Sequence, residues 1–166
     1  NPDVIFAPSS IVTAPLIIKQ ARELGITAQI MAGDTWENAT IIDNAGADAE
    51  GVVLSTFFDD AAPETEEAKK FVEGFKPYLV ENGQPDVIPA VSALGYDAYL
   101  AIYRAIEAAD SVDPNDIRDA LTTLEFEAVT GKIVFDENGD AVKEMAFIKV
   151  IEDGVFKFLQ TVTIAK

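Results

Sequence analysis

The residues best suited to bind a charged ligand lie in the segment AGDTWEN, where a single residue separates Asp34 from Trp36. A carboxylate beside a large aromatic ring suits an ammonium group, because the charge attracts it and the ring face offers a cation–π contact. A purely structural interpretation competes with this one, since Asp34 is also a good helix N-cap with Glu37 in the first turn. Residue chemistry alone leaves both interpretations open.

Two hydroxyl residues, Ser9 and Ser10, follow the first apolar segment and are the next candidates for ligand binding. Serine hydroxyls also form turns and cap the helix that follows, and on chemistry alone that interpretation is favoured. Both serines therefore stay candidates only if the elements around them place them at a site.

Three other patterns carry weaker signals. The run DENGD at residues 136–140 resembles the start of a calcium loop but lacks the later glycine and the distal glutamate, so it predicts a hairpin turn. The tripeptide at 130–132 lacks the first glycine and the following hydroxyl of a phosphate-binding loop. Paired carboxylates for glycoside hydrolysis fit so acidic a chain, but no pair is singled out.

Composition excludes several chemistries. The 166 residues contain no cysteine and no histidine, so thiolate or imidazole metal sites, disulfides and Ser-His-Asp triads are impossible. With 29 acidic against 12 basic side chains, the formal charge is −17, which repels nucleic acid and anionic lipid. We expect no nucleic-acid partner, no metal and no cofactor.

The first 58 residues alternate strand and helix patterns, which predicts a parallel sheet. The segments are strand 3–7, helix 12–24, strand 27–31, helix 36–45 and strand 51–58. The first strand is a continuous apolar run, which predicts burial on both faces. Open parallel sheets bind ligands at the carboxyl ends of their strands, where Ser9, Ser10, Asp34 and Trp36 all fall.

The remaining residues predict helices and then an antiparallel end. Helices are expected over 64–80, kinked or divided at Pro77, over 92–109 and over 113–124. Strands over 132–135, 142–151 and 155–162 alternate with glycine-bearing turns. A chain of this length makes one domain or two small lobes.

A family resemblance adds to these patterns. The strings NPDVIFAP, IMAGDTWEN, ALGYDAYLAIYRAIEAA and DPNDIRDALTTLEFEAVTGKIVFDENGDAVK resemble the substrate-binding proteins of branched-chain amino-acid ABC transporters. The resemblance runs over nearly the whole chain. It implies the α/β, type I periplasmic-binding-protein fold, in which two lobes each contain a parallel sheet flanked by helices. This chain corresponds to the C-terminal portion, which ends in antiparallel strands.

The resemblance also implies roles for single residues. Asp34 stands where the family binds the α-ammonium group of its ligand, and Ser10 stands where a tyrosine commonly faces that ligand. Trp36 would wall the cleft, and Val91 falls near a position that contacts ligand side chains. Serine in place of tyrosine implies a roomier or more polar pocket, and hence a solute other than leucine, isoleucine or valine.

The implied function is non-enzymatic capture of an amino-acid-like solute between two lobes for delivery to an ABC permease. Residues 1–58 would belong to the second lobe, 59–128 would supply helices of the first lobe, and 129–166 would cross the hinge and form the C-terminal strands. Asn1 would lie inside the second lobe, so a missing N-terminal portion or a second copy would complete the fold. The expected location is periplasmic or extracellular, associated with the membrane through the transporter.

Two alternatives remain open. A sensor or receptor domain on the same fold would use closure of its lobes to signal instead of to transport. The second alternative is a carboxylate-dependent hydrolase or a flavodoxin-like structural fragment without a ligand.

Overall fold

The computed structural model describes residues 2–163, in which strands and helices alternate over the first half. The elements in chain order are β1 (Val4–Phe6), α1 (Ala14–Glu23), β2 (Gln29–Ala32), α2 (Ala39–Ala45), β3 (Val53–Thr56), α3 (Glu66–Glu81), α4 (Ala90–Ala109), α5 (Pro114–Leu121), β4 (Phe126–Ala128), β5 (Gly131–Ile133), β6 (Met145–Glu152) and β7 (Val155–Thr163). Short 3₁₀ helices cover Asp34–Trp36 and Gly46–Ala49. Two compact units result: residues 2–57 with 145–163, and residues 58–144.

The first unit contains a five-stranded mixed sheet in the order β1-β2-β3-β6-β7. Strands β1, β2 and β3 run parallel, with Ile5 opposite Ile30 and Met31 opposite Val53. Strand β6 is antiparallel to β3 and to β7. The predicted parallel sheet followed by an antiparallel end is therefore confirmed.

The core of the first unit forms where α1 and α2 contact the sheet. Ala14, Ile18 and Ala21 repeat at helical spacing and are buried on one face of α1. They pack with Ile30 and Leu54 from the strands in a single cluster. This cluster joins both helices to β2 and β3.

Strand β1 differs from its sequence prediction. It was expected to be buried on both faces, yet Val4 is 46% exposed and Phe6 is 63% exposed. Val4 and Phe6 alternate with the half-buried Ile5, so they share one face of the sheet. That face is left open at this edge strand, which pairs only with β2 among residues 2–163. An apolar run cannot by itself distinguish an edge strand from a central one.

The helix predicted over residues 36–45 is also different, because the chain is interrupted before α2 begins. Asn38 has extended backbone angles, and its side chain accepts a hydrogen bond from the Thr40 N–H at 2.9 Å. Asn38 is thus the N-cap of α2. The preceding residues Asp34–Trp36 form a separate 3₁₀ turn.

The second unit is built from three helices and the hairpin of β4 and β5. Thr65 caps α3 by accepting from the Ala68 N–H at 2.9 Å, and the helix continues through Pro77 instead of dividing there. Two apolar clusters form its core, one around Phe58 and Ile88 and one around Phe126 and Ile133. Strand β4 was not predicted, since three residues are too short for a clear pattern.

Two further observations concern the chain as a whole. None of the helices formed by residues 2–163 combines the length and apolarity needed to cross a lipid bilayer. The chain passes between the two units after Phe57 and again after Glu144. The assignment of 1–58, 59–128 and 129–166 to lobes and hinge of a longer protein stays a prediction.

Candidate functional site

The candidate site lies at the carboxyl edge of the sheet in the first unit. Since β1, β2 and β3 are parallel, the segments that follow them emerge at the same edge. Ser9 and Ser10 follow β1, Asp34 follows β2, and Thr56 is the last residue of β3. The sheet therefore brings the segments after β1 and β2 together, as the strand pattern predicted, and Thr56 lies at the same edge.

The turn after β1 is organised by the carbonyl of Ser10. That oxygen accepts from the N–H groups of Thr13 at 3.1 Å and Ala14 at 3.0 Å, and from the Thr13 hydroxyl at 3.1 Å. The N-cap of α1 is Thr13, without a capping bond from its side chain. Ser9 and Ser10 thus form the expected turn, but the expectation that they cap α1 with their side chains is wrong.

Ser9 joins the two loops that follow β1 and β2. Its carbonyl accepts from the indole Nε1 of Trp36 at 3.0 Å and from the Thr35 hydroxyl at 3.3 Å. Its own hydroxyl oxygen is buried and has no hydrogen-bond partner among residues 2–163. A buried hydroxyl without a partner in the protein is uncommon.

Asp34 is the first residue of the 3₁₀ turn that follows β2. Its N-cap is Gly33, no side chain caps the turn, and α2 is capped by Asn38. The interpretation of Asp34 as an N-cap is therefore wrong. The side chain is partly exposed, and no group within residues 2–163 is hydrogen-bonded or ion-paired to its carboxylate.

Trp36 is fully buried in the core of the first unit, at 0% exposure. In this conformation no face of the ring is open to a ligand. Its observed contact with the site is the hydrogen bond from Nε1 to Ser9. The ring therefore contributes to the site by holding the loop after β2 against the turn after β1.

Glu37 anchors the other end of the same loop. One carboxylate oxygen, Oε1, accepts from Lys149 Nζ at 2.5 Å, and the other, Oε2, accepts from the Thr56 hydroxyl at 2.8 Å. All three residues are buried. Sequence reasoning assigned Glu37 only to a helical first turn and missed this network. A signal was present, because Lys149 occupies the inward-facing position between Phe147 and Ile151 on β6.

The geometry of this edge suits recognition of a cation. The loop at 33–38 is tied down by Trp36 and Glu37, while the Asp34 carboxylate beside them keeps its hydrogen-bonding capacity. A fixed carboxylate is a strong acceptor for an ammonium group, through a charge-assisted hydrogen bond. Residues 2–163 contain no group of three or more His, Cys, Asp or Glu side chains arranged to hold a metal ion.

Val91 belongs to the second unit, in the first turn of α4, where its side chain is 71% exposed. The first unit contains the other four predicted site residues. The role of Val91 toward a ligand stays a prediction.

The remaining motifs of the second unit are structural. Asp136 Oδ1 accepts from the N–H groups of Asn138 at 2.8 Å and Asp140 at 2.9 Å, which confirms the predicted hairpin turn. Thr130 donates its hydroxyl to the buried carboxylate of Asp97 at 2.6 Å and accepts from Lys143 Nζ at 2.6 Å. Burial lowers the pKa of Lys143, an effect that the charge of Asp97 partly offsets.

Comparisons with known proteins give a consistent result. The sequence profile of the family described as periplasmic binding protein matches residues 1–155. The chain is 31% identical over 125 residues to the leucine-, isoleucine-, valine-, threonine- and alanine-binding protein of Pseudomonas aeruginosa, a match that covers 75% of this chain and 32% of that protein. A Leu/Ile/Val-binding protein homolog of Brucella suis is 32% identical over 132 residues, with coverage of 76% and 32%.

Solved structures show the same similarity in three dimensions. A leucine-binding protein from Thermotoga maritima superposes with a TM-score of 0.84 at 35% identity, covering 98% of this chain and 45% of that one. The substrate-binding protein of a branched-chain amino-acid transporter from Streptococcus pneumoniae, solved with isoleucine, gives 0.77 at 26% identity, with coverage of 98% and 44%. The chain thus spans less than half of these solved chains and about a third of the curated relatives.

Proposed function

This chain belongs to the periplasmic binding protein family and has its type I fold, and from that premise we propose that it is part of a protein that captures an amino acid or similar small solute and delivers it to an ABC permease. Proteins similar to it are named for binding leucine, isoleucine, valine, threonine and alanine. Its role is solute binding, and the proposal excludes chemistry on the solute.

The observation that carries the proposal is the state of Asp34. The loop that contains it is fixed at Trp36 and at Glu37, and its own carboxylate is partly exposed with no partner in residues 2–163. Holding an acceptor in place before binding reduces the entropic cost of association. An α-ammonium group satisfies such a carboxylate better than a neutral solute does, because its hydrogen bond is charge-assisted.

Ser10 is the proposed determinant of side-chain preference in the first unit, and a ligand contact of Val91 in the second unit is a separate proposal that follows from the family resemblance alone. The Ser10 side chain is exposed, and its hydroxyl oxygen lies 3.2 Å from the Thr13 hydroxyl oxygen. A small polar side chain thus occupies a position where the ring of a tyrosine would fill space. We therefore propose a roomier or more polar pocket than a tyrosine at this position would leave. Ser9 supports this surface through the turn that it shares with Ser10.

The remaining partners are part of the same proposal. Residues 1–58 are assigned to the second lobe, 59–128 to helices of the first lobe and 129–166 to the hinge and C-terminal strands. A missing N-terminal portion, or a second copy, would supply the rest of the two-lobe protein. The proposed location is periplasmic or extracellular, where such a protein meets its permease at the membrane.

The test is isothermal titration of the complete protein with a panel of amino acids and with the same compounds lacking their amino group. We expect Asp34→Asn to weaken the binding of the amino acids at least about tenfold, the scale of one hydrogen bond to a charged group. The des-amino compounds should bind the variant and the wild type alike. Asp43→Asn is the matched control, since Asp43 is an exposed acid on α2 of the same unit.

Two results would contradict the proposal. The first is the absence of heat for every amino acid in the panel. The second is an Asp34→Asn variant that binds amino acids as tightly as the Asp43→Asn control.

A further inference from the structure

The loop that contains Asp34 includes one member of a buried ion pair, because Glu37 pairs with Lys149 of β6. The side chains of Glu37 and Lys149 are each only 4% exposed, and the Nζ atom of Lys149 lies 2.5 Å from Oε1 of Glu37. The Thr56 hydroxyl donates to the other Glu37 oxygen at 2.8 Å. Both oxygens of this carboxylate thus accept hydrogen bonds from buried side chains.

The two partners of Glu37 come from adjacent strands of the sheet. Thr56 ends β3, and Lys149 lies on β6, where it pairs in register with Leu54 of β3. Lys149 occupies a position whose inward neighbours, Phe147 and Ile151, are apolar. A charged side chain at such a position is unexpected, because burying the charge costs several kcal/mol before a partner offsets the loss of water.

The ion pair connects to Asp34 through the backbone. The Glu37 N–H donates to the Asp34 carbonyl at 2.9 Å, and the Trp36 N–H donates to the Gly33 carbonyl at 3.1 Å. These two bonds close the 3₁₀ turn of which Asp34 is the first residue. The backbone of Glu37 is therefore bonded directly to that of Asp34.

Stability is a weak explanation for this pair. Replacing a buried ion pair by apolar residues of similar volume is often neutral or stabilising. A charged pair differs from an apolar contact because it also fixes the orientation of its two side chains. We propose that Glu37 and Lys149, with the Thr56 hydroxyl, are positioning residues that aim the Asp34 carboxylate at the ammonium group of the solute. This inference rests on the proposed function of Asp34 and adds the residues through which that function is achieved.

The pair also determines which carboxylate is available. Asp34 and Glu37 lie three residues apart in the same loop, and each alone could attract a cation. Because Lys149 neutralises Glu37 in the interior, the solute meets the charge of Asp34 at a single defined point. The expected consequence is discrimination between a solute with an amino group and the same solute without it.

The experiment compares three variants of the complete protein: Lys149→Met, the charge-neutral double variant Glu37→Gln/Lys149→Met, and Lys157→Met. The double variant removes the ion pair without leaving a buried lone charge, so it stays informative if Lys149→Met fails to fold. Lys157→Met is the matched control, because Lys157 forms ion pairs with Glu152 and Asp153 on the exposed hairpin of the same unit.

Two measurements are made on each variant. Amide hydrogen exchange of the peptide over residues 33–38 is recorded without ligand. Affinities are then measured for leucine, threonine and alanine and for the same compounds without their amino group, which are 4-methylpentanoate, 3-hydroxybutanoate and propanoate. In the double variant we expect faster exchange in this peptide and, for the amino acid that the wild type binds most tightly, an affinity lower by about tenfold, the scale of coupling inside one contact network. The affinity for the matching compound without the amino group and the behaviour of Lys157→Met should stay within about twofold of wild type.

The outcomes separate this inference from the proposed function. If the wild type binds none of the tested amino acids better than the matching compound without the amino group, the role of Asp34 fails, and the positioning role fails with it. If the wild type discriminates and the double variant discriminates equally well, only the positioning role is overturned. Equal losses for both compounds would also overturn it, since they would indicate a general structural effect.

Discussion

The indole Nε1 of Trp36 donates a hydrogen bond to the Ser9 carbonyl at 3.0 Å across a separation of 27 residues. This bond joins the loops that follow β1 and β2, whose strands are parallel neighbours. The ring itself is fully buried in the core of the first unit. Trp36 thus attaches the candidate ligand site to that core.

Trp36→Phe should loosen this connection while keeping an aromatic ring in the core. The variant loses the hydrogen bond and part of the buried ring volume, and we expect a loss of about 2 kcal/mol in the free energy of unfolding. Thr35→Val is the comparison, because it removes only the longer 3.3 Å bond to the same carbonyl. Urea denaturation followed by circular dichroism measures both. Equal stability of the two variants would contradict the importance of the indole bond.

Asp97→Asn should destabilise the second unit. The Asp97 carboxylate is 3% exposed and accepts from the N–H groups of Val129 at 2.8 Å and Thr130 at 2.7 Å, in addition to the Thr130 hydroxyl. An amide presents an NH₂ group to one of these donors, so at least one buried bond is lost. The expected cost is about 2–3 kcal/mol in urea denaturation.

The control for Asp97 is Asp119→Asn. Asp119 pairs with Arg118 at the surface, where its side chain is 66% exposed, and such pairs contribute about 0–1 kcal/mol. If the two aspartate variants unfold at the same urea concentration, the Asp97 network does not carry the stability assigned to it.

The parts of the fold that local pattern determines could be predicted from the sequence. The helical spacing of Ala14, Ile18 and Ala21 identified α1, and alternation identified the strands of the antiparallel end. The rule that sites form at strand carboxyl ends predicted Ser9 and Asp34 as candidates, and the structure places both at that edge of the sheet. What local pattern could not give was the exposure of β1, because burial depends on what packs on a strand.

The networks that hold the site depend on contacts between distant residues. Glu37 and Lys149 are 112 residues apart, and Asp97 and Thr130 are 33 apart, so no local motif links them. Their acidic members look like any other acid in a chain with 29 of them. Only the tertiary structure shows that Glu37 is buried and paired while Asp34, three residues earlier, is partly exposed.

Asp136→Asn should lower stability at neutral pH and have less effect in acid. Hydrogen bonds from the backbone N–H groups of Asp140 and Asn138 lower the pKa of the Asp136 carboxyl. A carboxyl whose pKa is lowered by folding stabilises the protein above its unfolded pKa of about 3.9, and this contribution is lost as the pH falls below it. The difference in melting temperature between wild type and variant should therefore shrink from about pH 5 to about pH 3, because the carboxyl becomes protonated over roughly that range.

Glu137→Gln is the control for this titration, since it removes a charge from the same turn. A melting-temperature difference for Asp136→Asn that stays constant from neutral pH into acid would show that the backbone bonds do not stabilise the ionised form. We would draw the same conclusion if the melting temperature of Glu137→Gln depended on pH in the same way as that of Asp136→Asn.

The last prediction concerns an apolar stripe on α4, formed by Tyr99, Ile102 and Tyr103, which are 68%, 52% and 49% exposed. Their spacing puts them on one side of the helix. Soluble monomers rarely expose contiguous apolar surface of this kind. We therefore expect the 17.9 kDa chain, purified alone, to associate with itself, with a mass of at least two copies in native mass spectrometry and light scattering.

Charge on the stripe should reverse this association. Tyr99→Glu/Ile102→Glu is expected to yield a monomer at the same concentration, because carboxylates at a packed apolar contact carry a desolvation cost. Val112→Glu is the control, since Val112 is 84% exposed but follows the end of α4. If the N-terminal portion of a two-lobe protein normally covers the stripe, co-expression of that portion should replace the self-associated species by a one-to-one complex. A wild-type chain that stays monomeric at every concentration tested would contradict the prediction.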